Sequence, residues 1–157
     1  MRLLADTQLL IWGSQGDRRL SPAATALLEG AVEAFFSVAS TWEIAIKQAK
    51  RLPGFDVKVD ELRDGLLANA YAELPVLGHH ALEVAKLPRL HGDPLDRFLV
   101  AQARVEGLTL LTADRALAAY GSPRPPRLMP RLTSLSVSLN HQLSQPTEGQ
   151  PPPSPAP

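Results

Sequence analysis

Four acidic residues stand where an apolar segment gives way to the start of a helix, although long stretches of sequence separate them: Asp6, Glu43, Asp96 and Asp114. Three of the four, all except Asp96, lie just past a candidate strand. The carboxyl ends of parallel strands are neighbours at one edge of a sheet. Carboxylates gathered this closely repel one another, and a hard divalent cation with oxygen ligands is the simplest way to keep them ionised together. The recurrence suggests one shared acidic site.

Each of these acids also has a structural interpretation. Ser40 and Glu43 have the spacing of a capping box, in which a serine binds the first helical amides and a glutamate reaches back. Asp93 is placed to cap a helix that begins at Pro94, with Asp96 in a first turn where the helix dipole favours negative charge. The remaining two can cap the helices that follow them: Asp6 and Asp114. Spacing alone leaves both interpretations open.

The segments that would position these acids alternate between strand and helix. Short apolar segments predict four strands: Leu3–Ala5, Ala34–Val38, Leu74–Leu77, which its proline places near an edge, and Leu108–Leu111. Helical patterns between and after them predict seven helices. The first covers Thr7–Trp12 and is ended by Gly13, and the second, over 22–29, is started by Ser21-Pro22. The others run from Ser40 onward and over 59–71, 81–87, 93–106, which Gly107 ends, and 115–120. This alternation predicts parallel pairing with crossover helices, and therefore an α/β fold.

The composition changes at residue 122. Residues 122–157 contain ten of the fifteen prolines, with Ser, Gln and Gly filling much of the rest. Such a segment cannot bury enough apolar surface to order itself. We predict one globular domain over 1–121 and a Pro-rich, disordered extension over 122–157, in which an alternating apolar segment at 132–139 can form a short strand.

Charge and cysteine content exclude several classes of protein. Residues 122–157 hold three arginines and one glutamate, a net charge of +2, which leaves −2 for residues 1–121 because the whole chain is neutral. Neither value is the basic excess of a dedicated nucleic-acid binder. The chain has no cysteine, which excludes disulfides, thiolate metal sites and thiol nucleophiles. It has no signal-peptide core and no apolar segment of about 18 residues, so we expect a cytoplasmic protein without a membrane span.

Four segments resemble the signature blocks of PIN-domain proteins and, more narrowly, of VapC-like toxin ribonucleases of prokaryotic toxin–antitoxin pairs. The blocks occur in the family's order, and together they are specific: Leu3–Trp12 (LLADTQLLIW), Ser40–Lys47 (STWEIAIK), Asp93–Ala103 (DPLDRFLVAQA) and Leu111–Arg115 (LTADR). The resemblance implies a PIN-like three-layer fold, in which a central, mainly parallel sheet is flanked by helices. It also implies an endoribonuclease that uses Mg²⁺ or Mn²⁺.

Carried over position by position, the resemblance makes Asp6, Glu43 and Asp96 the metal-binding and catalytic carboxylates, and Asp114 the fourth acidic member. It places three further residues in supporting positions: Thr7, Asp93 and Thr112. A metal held by these carboxylates would polarise a phosphodiester oxygen and lower the pKa of a bound water, so that no side-chain nucleophile is needed. The implied partners are an RNA substrate, a small antitoxin that presents a basic side chain to the acidic site, and a second copy of the chain.

The chain departs from its relatives at three positions where they often have His, a basic residue and Phe: Gln8, Gly92 and Leu95. None of these departures removes a carboxylate, but the first two alter groups that can contact substrate. Relatives also end in a short strand soon after the turn at 120–121, where this chain continues with Arg124-Pro125-Pro126.

Other charged and aromatic residues have structural interpretations. Arg97 is predicted to pair with a buried carboxylate. The basic helix end, with Lys47, Lys50 and Arg51, is predicted to be a solvated last turn that complements the helix dipole. The histidines near helix starts are interpreted as surface or capping residues remote from the acids (His79, His80 and His91), and both tryptophans as core or dimer contacts (Trp12 and Trp42).

Two alternatives to a nuclease follow from the same residues. One is a non-catalytic PIN-like module that binds RNA or protein, with its acids serving as caps. The other is a flavodoxin-like signalling or phosphatase fold with Asp6 as phospho-acceptor, which would need another acid beside or two residues after Asp6 and a late lysine. Thr7-Gln8 follows Asp6 and Arg115 follows Asp114, so this last alternative ranks lowest.

Overall fold

The computed structural model of the chain describes residues 1–121. The predictions for the Pro-rich extension and for a strand at 132–139 concern residues outside this part of the chain. Within 1–121 the strands are β1 (Arg2–Ala5), β2 (Glu33–Ser37), β3 (Ala72–Leu74) and β4 (Thr109–Leu111). The helices are α1 (Thr7–Gln15), α2 (Pro22–Glu29), α3 (Val38–Ala49), α4 (Val59–Ala68), α5 (Gly78–Lys86), α6 (Pro94–Glu106) and α7 (Arg115–Ala118).

The four strands form one parallel sheet in the order β3-β2-β1-β4. Leu4 of β1 is in register with Phe35 of β2 on one side and with Leu110 of β4 on the other. The first strand of the chain is therefore interior, and the carboxyl ends of all four strands lie along one edge of the sheet. The α/β prediction is confirmed, and β3 is an edge strand with Pro75 just after it.

Helices cover both faces of the sheet because successive strand residues point to opposite faces. Leu4 and Leu74 pack with Leu99 and Ala103 of α6 on one face. The neighbouring residues Ala5 and Phe36 pack on the other face, in a cluster with residues of α1, α2 and α4: Leu10, Leu28 and Leu66. This arrangement is the three-layer architecture that the family resemblance implies.

Most predicted elements are present, with shifted ends. α1 continues past Gly13 to Gln15 and stops at Gly16, whose φ of 60° is the left-handed conformation that glycine adopts without strain. α4 ends at Ala68, three residues before the predicted end at Tyr71. The Asp93 cap, the Pro94 start and the Gly107 stop of α6 are confirmed.

The predicted capping box at Ser40 and Glu43 is wrong. α3 begins at Val38, and its cap is Ser37, whose hydroxyl oxygen accepts the Ala39 N–H at 3.0 Å. The Ser37 hydroxyl in turn donates to Gln102 Oε1 at 2.5 Å, and both side chains are fully buried. Ser37 is thus both the cap of α3 and a long-range partner of α6, and Ser40 and Glu43 lie inside the helix. Among the described residues, no helix has the length and apolar character needed to span a membrane.

Candidate acidic active site

Asp6 and Thr112 occupy the ends of adjacent strands. Asp6 follows β1 and Thr112 follows β4, and the Asp6 N–H donates to the Leu111 carbonyl at 3.1 Å, which extends the pairing of these strands. Asp6 Oδ2 accepts a hydrogen bond from the Thr112 hydroxyl at 2.5 Å, and its Oδ1 accepts the Gln8 N–H at 2.6 Å. Both carboxylate oxygens of a residue that is only 3% exposed are thus fixed in orientation.

Burial raises the pKa of Asp6 above its usual value, and the hydrogen bonds from Thr112 and Gln8 offset part of that effect. The negative charges of Glu43 and Asp114 raise the pKa of Asp6 further. Asp6 therefore lies within electrostatic reach of both acids, as the sequence suggested.

Asp96 lies in the first turn of α6, where the Asp93 cap accepts the Leu95 N–H at 2.8 Å. Burial raises the pKa of Asp96 to about 6, with a further contribution from the charge of Asp93. His91 acts in the opposite direction, and the charges of Asp6 and Glu43 add to the increase. Asp96 and Asp6 each respond to the other acids, so the structure brings these separate segments into one electrostatic group.

Glu43 reaches this group from α3, which follows β2. Its Oε1 lies 2.7 Å from Lys47 Nζ, one turn along the same helix, and the Glu43 side chain is 18% exposed. Lys47 was predicted to be a solvated residue of the last turn. It is in that turn, but it is also the ion-pair partner of a candidate site acid.

Asp114 is the most exposed of the four acids, with 43% of its side chain accessible. It caps α7, because its Oδ1 accepts the Ala116 N–H at 2.7 Å. Its own N–H donates to the Thr112 hydroxyl oxygen at 3.0 Å, while that hydroxyl donates to Asp6. Thr112 therefore links Asp6 to Asp114, a connection consistent with the supporting position that the resemblance gives it.

Thr7, the third residue predicted to support the site, is buried beneath it. Its hydroxyl donates to Ser40 Oγ at 2.9 Å, and the two side chains are 2% and 1% exposed. This bond joins α1, directly after Asp6, to α3, which carries Glu43. The supporting position that the resemblance gives to Thr7 stays a prediction.

The interpretation of His91 as remote from the acids is wrong. Its Nδ1 lies 3.4 Å from Asp96 Oδ2 and its Nε2 lies 3.3 Å from Asp114 Oδ2, with 18% of the side chain exposed. Nδ1 also accepts the Asp93 N–H at 3.2 Å. A signal was available in the sequence, since His91 precedes Asp96 by only five residues and lies in the same segment as the Asp93 cap.

The loop that carries His91 is held by Tyr120 and Arg97. The Tyr120 hydroxyl donates to the Pro88 carbonyl at 2.9 Å and accepts the N–H groups of Leu90 and His91 at 3.2 and 3.1 Å. The Arg97 guanidinium donates to the carbonyls of Pro88, Val84 and Leu87 and to the Tyr120 hydroxyl. Arg97 is thus structural, but the predicted pairing with a buried carboxylate is wrong, because its recorded partners are the Tyr120 hydroxyl and backbone carbonyls at the end of α5 and in the following loop.

A second histidine–carboxylate group combines His79 and His80 of α5 with Glu106 of α6. His80 is fully buried, its Nδ1 accepts the Leu77 N–H at 3.2 Å, and its Nε2 lies 2.8 Å from Glu106 Oε1. Because Nδ1 is an acceptor, Nε2 carries the proton and donates to Glu106. A metal ion on Nε2 would remove that proton and leave Nδ1 needing one, so this group is a structural hydrogen-bond cluster. His80 has the predicted capping role, although it is buried.

The tryptophans differ from each other. Trp12 packs against the buried cluster of Ile11, Ile44 and Val57, as a core residue would. Trp42 is 59% exposed, so a core role is wrong for it, and a dimer contact stays a prediction. A cavity of about 780 Å³ is lined mainly by residues of α1, α2 and α4 and contains none of the four acids. The candidate site is therefore identified by its acidic side chains and not by the volume of a cavity.

The capping interpretation is confirmed for Asp6, Asp93 and Asp114, each of which caps a helix. Neither Glu43 nor Asp96 is a cap. The charge of Glu43 raises the pKa of Asp6, and the charges of Asp6 and Glu43 contribute to the raised pKa of Asp96. A purely capping set of acids would not explain these two residues.

Comparison with known proteins places these observations in a family. The PIN domain model matches residues 3–122. Ribonuclease VapC22 of Mycobacterium tuberculosis is 30% identical over 125 residues, which are 78% of this chain and 95% of that protein.

Two solved structures have the same fold. The crystal structure of VapBC2 from Rickettsia felis bound to a DNA fragment from their promoter superposes with a TM-score of 0.55 at 12% identity, covering 73% of this chain and 89% of that one. The crystal structure of FitAcB from Neisseria gonorrhoeae gives a TM-score of 0.51 at 19% identity, covering 78% and 97%. At these identities the similarity concerns the fold alone.

Proposed function

The chain belongs to the PIN-domain family and to its VapC-like branch, and from that premise we propose that it is a metal-dependent endoribonuclease, the toxin of a toxin–antitoxin pair. The observation that supports the proposal is the electrostatic coupling of Asp6 with Glu43, Asp96 and Asp114, which come from four separate segments of the chain. The match to a relative named as a ribonuclease supports the activity. The metal requirement and the residue roles are inferred from the chemistry of the site.

The donor set fits a hard divalent cation. Burial and mutual repulsion raise the pKa values of Asp6 and Asp96, so the fully ionised group is electrostatically unfavourable by itself. Carboxylate oxygens are the ligands that Mg²⁺ and Mn²⁺ take, and a divalent charge would keep the acids ionised at neutral pH. We assign Asp6, Glu43 and Asp96 to hold the cation, with Asp114 as the fourth acid.

When bound, such a cation supplies positive charge for a phosphodiester oxygen and a water of lowered pKa. The chain's own residues provide orientation. Thr112 and the Gln8 N–H fix the two oxygens of Asp6, and the Ala116 N–H fixes one oxygen of Asp114. Lys47 holds Glu43 in a defined position on α3. Fixed carboxylates lower the reorganisation needed as charge develops on the phosphate.

The partners belong to the same proposal. RNA is the proposed substrate, and an antitoxin with a basic side chain would complement the negative charge of the four acids. A homodimer is proposed on the family resemblance, and light scattering of the purified chain tests it. We propose a cytoplasmic location, because that compartment contains the RNA and the cysteine-free composition fits a reducing environment.

The decisive experiment measures cleavage of RNA by the purified chain with Mg²⁺, Mn²⁺ or EDTA. It compares the wild type with Asp6→Asn, Asp96→Asn and a matched control, Asp64→Asn, which alters an exposed aspartate of α4. We expect metal-dependent cleavage that both site variants lose and the control retains. Cleavage that persists in EDTA or in both site variants would contradict the proposal. A wild type that neither cleaves varied RNAs nor binds Mn²⁺ in calorimetry would favour the non-catalytic binding module.

A further inference from the structure

The proposed site leaves one acid poorly held. Asp114 is 43% exposed, and its Oδ1 is fixed by the Ala116 N–H. Its Oδ2 has one close polar neighbour on another element among the described residues, the imidazole of His91, with Nε2 at 3.3 Å. The rotation of this carboxylate relative to Asp96 therefore depends on where the His91 ring is placed.

The backbone of His91 is held by a residue that comes much later in the sequence, Tyr120. Tyr120, which is 7% exposed, accepts the His91 N–H and the Leu90 N–H on its hydroxyl oxygen, and its hydroxyl donates to Pro88. Arg97 donates to both Tyr120 and Pro88. Hydrogen bonds thus hold the loop at three backbone positions. They fix the backbone from which the His91 ring extends between Asp96 and Asp114.

Hydrogen bonding also selects the tautomer of the ring. Nδ1 accepts the Asp93 N–H at 3.2 Å, so the proton of the neutral imidazole is on Nε2. That N–H is the group that faces Asp114 Oδ2. The arrangement has the form found around metal sites, where a residue outside the ligand set orients a ligand through a hydrogen bond.

We propose that His91 is a positioning residue for the acidic site, whose Nε2–H donates to Asp114 Oδ2 and holds this carboxylate turned toward Asp96. The inference rests on the proposed function for its catalytic consequence, but the 3.3 Å contact between His91 Nε2 and Asp114 Oδ2 is present in the protein without metal or RNA. His91 acts through Asp114 and makes no contact with the reacting atoms.

Two substitutions separate the hydrogen bond from the bulk of the ring. His91→Leu removes the donor and keeps an apolar side chain of similar size, whereas His91→Gln offers an amide N–H near the position of Nε2–H. We expect His91→Leu to weaken Mn²⁺ binding in calorimetry, and to lower kcat for RNA more than it changes KM, by about 10- to 100-fold, the range for residues that orient metal ligands. His91→Gln is expected to recover most of both. Equal losses in the two variants, or no loss in His91→Leu, would overturn the proposal.

A double-mutant comparison tests the route through Asp114. If His91 acts through this carboxylate, adding His91→Leu to Asp114→Asn should cause no further loss of Mn²⁺ affinity. His79→Leu, which alters an exposed histidine outside the site, serves as control and should leave the affinity of either background unchanged. Additive losses from His91→Leu and Asp114→Asn would show that His91 acts elsewhere.

Nitrogen-15 NMR of the imidazole keeps the proposal distinct from the nuclease assignment. In the metal-free full chain we expect His91 in the Nε2–H tautomer, with an Nε2 resonance that shifts in Asp114→Asn. An Nδ1–H tautomer, or an Nε2 resonance indifferent to Asp114→Asn, would overturn the contact even if the chain cleaves RNA. If the wild type neither binds Mn²⁺ nor cleaves RNA, the nuclease proposal fails and the tautomer still decides the contact.

Discussion

Two groups in this molecule combine histidine with carboxylate side chains but differ in their balance of charge. In the structural group, His80 is fully buried and shares its two ring nitrogens between the Leu77 N–H and Glu106. In the acidic site, His91 lies between Asp96 and Asp114. The first group places two histidines beside one acid, whereas the second places one histidine between two acids and so carries excess negative charge. Surplus charge at the ends of strands, more than residue type, distinguishes a site from a structural cluster.

The pKa values show the same contrast. Burial raises the pKa of Asp96 to about 6, and neighbouring acids add to that increase. Burial also acts to raise the pKa of Glu106, but hydrogen bonds from His80 and His79 outweigh it and hold the pKa below its usual value. Folding therefore disfavours ionised Asp96 and favours ionised Glu106. The two regions should respond to substitution and to pH in opposite ways.

The largest expected effect is on catalysis at the acidic site. Asp6→Asn removes a buried charge but keeps one oxygen that can accept the Gln8 N–H, while its amide group can donate to the Thr112 hydroxyl oxygen. We expect RNA cleavage to fall by more than about 100-fold, beyond the range for residues that only orient a ligand, while the free energy of unfolding without metal stays equal or rises. Single-turnover cleavage and urea unfolding measure the two quantities. A variant that is strongly destabilised but active once folded would reverse the assignment of Asp6.

The converse experiment removes His80 from the structural group. His80→Ala leaves a void and an unpaired Leu77 N–H, so we expect the free energy of unfolding to fall by about 2–4 kcal/mol. Urea unfolding measures this loss, and Mn²⁺ affinity of the folded fraction should be unchanged. If Mn²⁺ binding weakened while stability held, the two histidine groups would not be separable in function.

The pH dependence of stability provides a smaller test. Asp96 has a pKa of 3.8 in the unfolded chain and about 6 when folded, so between these values the folded state binds the extra proton. Without metal, this group makes stability fall as pH rises from about 4 to 6. Asp96→Asn should therefore raise the metal-free unfolding free energy at pH 7 by roughly 1–2 kcal/mol and flatten that part of the profile. Mn²⁺ should stabilise the wild type more at pH 7 than at pH 5, and thermal unfolding at both values checks this.

The smallest effect is expected at Glu106. Its depressed pKa means that it contributes stability above its unfolded pKa, and that this contribution is lost as pH falls through the folded pKa. Glu106→Gln keeps an oxygen to accept the His80 proton, and the side chain is 34% exposed, so we expect a loss below about 1 kcal/mol at neutral pH. Urea unfolding at pH 7 and pH 4 should show the loss only at the higher value. A rise in stability at pH 7 would mean that Glu106 behaves like the acids of the site.

Local sequence predicted the elements because each has a local cause. The Ser21-Pro22 start, the Asp93-Pro94 start and the Gly107 stop depend on neighbouring residues only, and all are confirmed. The α3 cap was misplaced because serines at 37 and 40 both satisfy the local rule. What distinguishes Ser37 is a hydrogen bond to Gln102, 65 residues later in the sequence.

The sequence predicts the acids as one group because strand ends converge in a parallel sheet, and the family blocks point to the same four positions. His91 was missed because its place depends on a loop with no regular structure, held by Tyr120 some 30 residues later. The exposure of Trp42 could not be predicted from the sequence either, because helical spacing with Ile44 does not determine which face of α3 packs against the rest of the domain. Contacts distant in sequence account for each of these errors.

Because the chain is synthesised from its N-terminus, the Asp6–Thr112 hydrogen bond can form only late in the synthesis of the domain. Asp6 is made before its partner Thr112, which comes 106 residues later, and the interior strand β1 gains its second neighbour only when β4 exists. The loop at His91 likewise requires Tyr120, which comes later in the sequence. A nascent chain that stops before β4 has Asp6 and its Gln8 donor but lacks Thr112 and Asp114. The site is therefore assembled last, so a ribosome-bound or truncated fragment should be harmless to RNA while the finished domain is not.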